Sequence, residues 1–177
     1  MAICFSSFDC QMMEQALCEA RRAFAGGEVP VGAVVVDEKG NIIGRGYNLR
    51  AALHDPTAHA EIVALREAAQ ALGGWNLSGC SLFVTLEPCP MCAGALVQAR
   101  IARVVFGCRD ERAGACGSLY SILRDGRLNH RCDVAEGLMA DECRSLLQSF
   151  FLAAREKKRQ SLAAQSRFEG VETSRNE

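Results

Sequence analysis

The proline in Cys89-Pro90-Met91-Cys92 constrains this chain more than any other residue. A residue before proline is pushed out of helical geometry, while proline itself suits the first position of a helix. Cys89 is therefore expected at the N-cap and Cys92 at the third helical position, with both sulfurs at one helix start. There the exposed amides and the helix dipole favour the thiolate form. Thirty positions before Cys89 stands His59, followed by Ala60 and Glu61. Ile62, Val63, Leu65, Ala68, Ala69 and Leu72 continue from it at roughly helical spacing, so His59 also falls near a helix start. Positions two apart diverge in mid-helix, so His59 and Glu61 can converge on one centre only near such an end. One imidazole and two thiolates form a zinc site with three protein ligands, leaving the fourth tetrahedral position for water or substrate. Such a site is formally neutral, and Glu61 remains beside it as a base the metal does not consume. The expectation is one zinc per chain, held by His59, Cys89 and Cys92.

Taken singly, a cysteine pair three apart or a lone histidine is more often a packing group. In this order, with Glu61 beside the first ligand, the set reads as a catalytic centre. Composition does not oppose that. At 177 residues the chain suits one domain, large enough to bury a core without metal or disulfides. We place that domain at residues 1–165, with a polar, disordered tail at 166–177. The ten cysteines show no framework spacing, and cysteine packs well as a small hydrophobe, which favours a reducing, cytoplasmic setting. No apolar run approaches about 18 residues, so no membrane span is expected. The start of the chain lacks the basic and apolar regions of a signal peptide. A net charge of −1 gives no global signal for nucleic acid, so any basic footprint must be local.

In chain order, an amphipathic helix is expected from about Asp9 to Phe24, closed by Gly26-Gly27. Val31 to Val36 and Asn41 to Tyr47 read as a hairpin about the turn Asp37 to Gly40. Asn48, at the strand end, is equally a candidate to hydrogen-bond a base and a plain turn-former. The His59 helix ends at Gly73-Gly74. Ser81 to Thr85 is a strand that delivers the chain to the cysteine turn, and the helix from Pro90 to about Ala99 leads to a parallel strand at Arg103 to Phe106. Ala93, Gly94 and Ala95 would let this helix approach the His59 helix closely. A glycine-rich loop from Gly107 to Ser118 carries Arg109 and Asp110. A last strand at Asp133 to Glu136 precedes a helix from Leu138 to about Gln160, with Leu146, Leu147, Phe150 and Phe151 turned inward and Arg155, Lys157, Lys158 and Arg159 near its end.

His-x-Glu followed by Pro-Cys-x-x-Cys is the general mark of the zinc nucleobase deaminases. Further stretches narrow the likeness: Val29-Pro30-Val31-Gly32-Ala33, Asn48, Asp55 to Glu61, Thr85 to Cys89, Met91 to Ala95, Phe106 to Asp110, Gly117-Ser118, Asp141-Glu142-Cys143 and Phe150-Phe151. From about residue 10 to residue 155 the chain resembles the bacterial tRNA-specific adenosine deaminases. That resemblance implies an α/β protein of the cytidine deaminase-like type, three layers (α/β/α) about a five-stranded mixed sheet, acting as a homodimer. It implies hydrolytic deamination of adenosine to inosine at the wobble position of a tRNA anticodon stem-loop, typically that of an arginine tRNA. By the same likeness His59, Cys89 and Cys92 hold zinc, Glu61 shuttles protons, and Asn48, Asp110 and Arg155 contact the substrate. One departure stands out: where relatives carry several arginines after the aromatic pair, this chain has Leu152-Ala153-Ala154 before Arg155.

In such chemistry zinc supplies an activated water. Glu61 accepts its proton, delivers it to ring nitrogen 1 of the purine and later assists departure of ammonia, as base and then acid. Two other functions are compatible with the residues. A deaminase of a free nucleobase or nucleoside, of guanine or cytidine type, would share the site without needing a nucleic-acid surface. A zinc-stabilised binding module would need four protein ligands, with His54 or His130 reaching in as the fourth.

Overall fold

Along β1 (Gly32–Val36), Ala33 and Val35 turn to one face and Val34 and Val36 to the other, and all five residues are buried. A strand buried on both sides is the centre of a covered sheet. The same alternation recurs in β3 (Ser81–Leu86), β4 (Arg103–Cys108) and β5 (Asp133–Glu136). Leu82, Val84, Val104, Phe106 and Val134 join one core, and Phe83, Val105 and Ala135 the other. This computed structural model describes residues 4–173, with side chains through residue 161. With β2 (Ile42–Tyr47) at its edge, the sheet has the order β2-β1-β3-β4-β5. β1 is antiparallel to β2 and β3, while β3, β4 and β5 run parallel.

Helices cover both faces. α1 (Ser7–Ala25) brings Met12, Met13, Ala16 and Leu17 to one core, joined by Leu138 and Cys143 at the start of α5 (Ala140–Thr173). α1 begins at a capping box in which Ser6 and Asp9 bond reciprocally, and Asp9 also accepts from Arg103 on β4 at 2.7 Å. The other core is closed by Ala60, Ala64, Leu65 and Ala68 of α3 (Ala60–Leu72) and by Ala93, Leu96 and Val97 of α4 (Pro90–Gln98). The result is the expected α/β/α arrangement about a five-stranded mixed sheet.

Four local expectations change. A one-turn helix, α2 (Arg50–Leu53), stands between Asn48 and His59 where no element was expected. Gly94 faces open space, so it does not serve helix approach. The close approach lies instead between α3 and β2: a Cβ at Gly44 would collide with the backbone of Ala64, and one at Gly46 with the backbone of Ala60. Phe151 is 45% exposed rather than turned inward. α5 continues through the stretch expected to be a disordered tail as far as Thr173, because no glycine or proline interrupts the run from Ala140 to Glu169. Residues 174–177 of that tail lie outside the described residues. No helix among the described residues is long and apolar enough to cross a membrane.

Candidate active site

Two helix N-termini meet beyond the carboxyl end of β3. His59 is the N-cap of α3 with extended backbone (φ −76°, ψ 156°), and Cys89 is the N-cap of α4 (φ −73°, ψ 172°) with Pro90 at the first helical position. Cys92 and Glu61 lie in the opening turns of the same helices, as the proline argument requires. His59 Nδ1 stands 3.7 Å from Cys89 Sγ and 3.5 Å from Cys92 Sγ. Tetrahedral zinc with bonds of about 2.3 Å to sulfur and 2.0–2.1 Å to nitrogen places such ligands about 3.6 Å apart, so the donor set fits that metal. Among the described residues these three form the one His/Cys/Asp/Glu group whose ligand atoms all lie within 4.8 Å of one another. His130 is bonded to the Ile101 carbonyl, and His54 is exposed at the end of α2. Among the described residues no fourth protein ligand joins the three, so they give no support to a closed structural site.

The electrostatics favour the thiolate at Cys89 but not at Cys92, against the expectation for both, and raise the Glu61 carboxyl. A hydrogen bond from Cys92 is the main cause pulling the Cys89 thiol down to about 4, and it outweighs the opposing effect of burial. Cys92 is pushed up by the same contact, by its burial and by nearby Glu61. Glu61 is 4% exposed, and burial pushes its carboxyl above the ordinary glutamate value. Raising a carboxyl in this way brings it closer to the pH at which it must both take and give a proton.

A pocket of about 230 Å³ opens over these groups. It is lined by Asn48, Arg50, His59, Glu61, Cys89 and Asp110, with Val29, Val31, Leu86 and Ala113 among its remaining walls. The volume is below the range for drug-sized ligands, as suits a single flat base. An adjoining cavity of about 380 Å³ shares Val29, Asn48 and Arg50 and extends to Pro56 and Phe150. The larger apolar groove between α3 and α4, about 530 Å³ around Trp75, carries no acid, histidine or cysteine, so its size does not make it the reaction site.

Five of the seven site residues read from the sequence, namely Asn48, His59, Glu61, Cys89 and Asp110, line this one pocket, and Cys92 completes the group that could hold a metal. Arg155 does not line it. It lies on an exposed stretch of α5, five residues past Phe150 and thus about 7–8 Å further along the helix axis. Arg109 faces away into a two-bond ion pair with Glu136 (3.0 and 2.7 Å).

Sequence reasoning passed over three groups. Arg50 stands at the mouth of both cavities. Glu28 is buried; its Oε1 accepts from the backbone of Ala51 (2.7 Å) and Ala52 (2.8 Å), capping α2, and its Oε2 accepts from Asn48 Nδ2 at 3.4 Å. Glu87, 2% exposed, accepts from the backbone N–H groups of Asp110, Cys116 and Ser118, each at 3.0 Å, and from the Ser118 hydroxyl. Burial alone would raise the Glu87 carboxyl, yet these donors hold it below the ordinary value. The available signal was a lone acid in each case, Glu28 before Val29-Pro30 and Glu87 before Pro88, at points where the chain is otherwise apolar.

An open three-ligand centre with a buried acid beside it, at the helix-capped edge of a mixed sheet, defines a deaminase of the cytidine deaminase-like class. Residues 6–108 match the cytidine and deoxycytidylate deaminase zinc-binding region. The chain is 49% identical over 154 residues to the tRNA-specific adenosine deaminase of Haemophilus influenzae, covering 87% of this chain and 89% of that one. It is 47% identical over 147 residues to that of Bacillus subtilis, covering 83% and 91%. Among solved structures it is similar to a protein from a study of A-to-I editing by tRNA:A34 deaminases at the wobble position. There the TM-score is 0.74 and the identity 44%, over 77% of this chain and 98% of that chain. The chain belongs to the tRNA-specific adenosine deaminase family.

Proposed function

We propose that this protein converts adenosine to inosine at the wobble position of a tRNA anticodon stem-loop, with an arginine tRNA as substrate, as a cytoplasmic homodimer holding one zinc ion per chain. The observation that carries the reading is the base-sized pocket that joins Asn48 and Asp110 to the open His59, Cys89, Cys92 centre and to buried Glu61. Zinc, when bound, supplies a water acidified to near neutral pH. Glu61 takes one proton from that water and delivers it to ring nitrogen 1, and then takes the second from the hydroxyl now on carbon 6 and delivers it to the departing amine. Asn48, held at its amide nitrogen by Glu28, presents its remaining hydrogen-bonding capacity to the base edge. Asp110 and Ala113 close the opposite wall. The adjoining cavity between Pro56 and Phe150 takes the chain flanking the target nucleotide, and Arg155 on α5 contributes to the phosphate contacts beyond it. A base in an anticodon loop is already unstacked, so swinging it into the pocket costs little.

The test is turnover of an anticodon stem-loop against free adenosine, guanine and cytidine, with inosine mapped on total tRNA. Preferential conversion of the loop adenosine is expected. Efficient turnover of a free base or nucleoside without preference for the RNA would end this reading in favour of a metabolic deaminase.

A further inference from the structure

We infer that Glu87 is the positioning residue that sets the Asp110 wall of the pocket, and so governs substrate binding without taking part in the chemistry. Four donors converge on this one buried carboxylate. Oε1 accepts from Cys116 N and Ser118 N, both at 3.0 Å, while Oε2 accepts from Asp110 N at 3.0 Å and from the Ser118 hydroxyl. Glu87 ends the β3 run just before the cysteine turn, and its own N–H is bonded to the Cys108 carbonyl at 2.9 Å. The acid is thereby fixed to the sheet, and the loop is fixed to the acid.

Ala115 N–H to the Pro88 carbonyl (2.8 Å) and the Arg109 to Glu136 ion pair flank the same loop, but the Asp110 N–H itself is taken by Glu87. Asp110 Oδ1 is turned inward to its own loop, accepting from Arg112 N (2.9 Å) and Ala113 N (3.1 Å), and Asp110 O accepts from Gly114 N (2.7 Å). These bonds make the Asp110 to Gly114 turn a rigid unit, and the Asp110 N–H to Glu87 bond sets where that unit sits. Gly114 confirms the fit from the other side, since a Cβ there would collide with the Glu87 carboxyl group. Asp110, Ala113 and Glu87 itself line the pocket, so the bond from Asp110 N–H to Glu87 helps set the distance from this wall to Asn48.

Glu87→Gln separates the acid from its shape. A carboxamide offers one oxygen. With that oxygen in the Oε1 place it keeps Cys116 and Ser118 N–H, and the Ser118 hydroxyl can turn to accept from the amide nitrogen. Only the Asp110 N–H then loses its partner, so the substitution releases the pocket end of the loop selectively. The inference rests on the stem-loop reading for its substrate but not for its structural readout. In Glu87→Gln, amide hydrogen exchange should quicken at Asp110 while Cys116 and Ser118 stay protected. Metal content should remain one zinc per chain. The KM for the stem-loop should rise about tenfold, the loss of one hydrogen bond to a charged acceptor, with the loss falling on KM rather than kcat. Gly114→Ala, which presses on the same carboxylate from the loop, should raise KM in the same direction and covers the case in which Glu87→Gln fails to fold. Zinc lost from Glu87→Gln, a lowered Tm with KM unchanged, or unaltered exchange at Asp110 each overturns the inference. If the wild-type chain turns over only a free base, the substrate assignment fails separately, and KM is then read on that base.

Discussion

Gly46→Ala tests whether the packing of α3 on β2 is what places His59. A Cβ at Gly46 would overlap the carbonyl oxygen of Ala60, lie 2.5 Å from Ala64 N and 3.0 Å from Val63 Cβ. Carbon contacts relax near 3.5–4.0 Å, so the first turn of α3 must retreat by about 1 Å. Overpacking of this kind costs about 1–3 kcal/mol, which in a protein of this size lowers Tm by about 2–4 °C for each kcal/mol. The retreat begins at the residue following His59, whereas zinc sites tolerate ligand displacements of about 0.2 Å. Metal affinity should therefore fall by about 10–100-fold, the usual effect of disturbing the groups behind a ligand. Gly44→Ala is the control, because its Cβ meets Ala64 O and lies 2.9 Å from Ala68 N, one turn further from the site. Chelator competition and thermal unfolding on both variants decide the matter. If the two lose the same stability and the same metal affinity, the α3 to β2 contact does not position His59, and the reasoning fails.

Glu61→Gln should keep one zinc per chain by metal analysis while kcat falls about 100- to 10,000-fold, the range of general acid/base catalysis; loss of the metal along with activity would make Glu61 a ligand instead. Asp9→Asn should destabilise the fold at neutral pH by about 1.5–3 kcal/mol through its lost bonds to Arg103. Burial tends to raise the Asp9 carboxyl, but bonds from Arg103 and Ser6 leave it below the ordinary value of 3.8. Its contribution is therefore present above that value and lost as pH falls through the folded one, so urea unfolding should show the gap between variant and wild type closing below about pH 3.8. Truncation after Phe151 removes a stretch whose described residues, 152–161, are all exposed, so Tm should hardly move; RNA affinity should fall and its dependence on salt should flatten, since Arg155, Lys157, Lys158 and Arg159 leave with it. An unchanged salt slope would remove α5 from the substrate contacts.

What the sequence made legible was chemistry with a local geometric consequence. Pro90 fixes the backbone on both sides of itself, so the placing of Cys89 at a cap and Cys92 in the first turn followed from four consecutive residues. His59 was legible for a similar reason, since the apolar period after it announced a helix start. The glycines of β2 carried a signal of the same kind that went unread. Gly44 and Gly46 are two apart, hence on one face of the strand, and paired glycines on one face mean that another backbone lies against them. Glu28 and Glu87 gave no such consequence, because their partners lie 20–31 positions away and are mostly backbone amides, which every residue carries. An acid that staples a loop looks, in one dimension, like any acid before a turn. α2 was hidden for a related reason: Leu49 caps it with no side-chain bond, and the capping oxygen comes from Glu28, 23 positions from Ala51. The groups that could hold a metal are thus written locally, whereas the acids beside the pocket walls are held by long-range bonds to main-chain atoms. Substitutions at Glu28 and Glu87 should accordingly alter substrate preference before they alter metal content, the reverse of the order expected at Gly46.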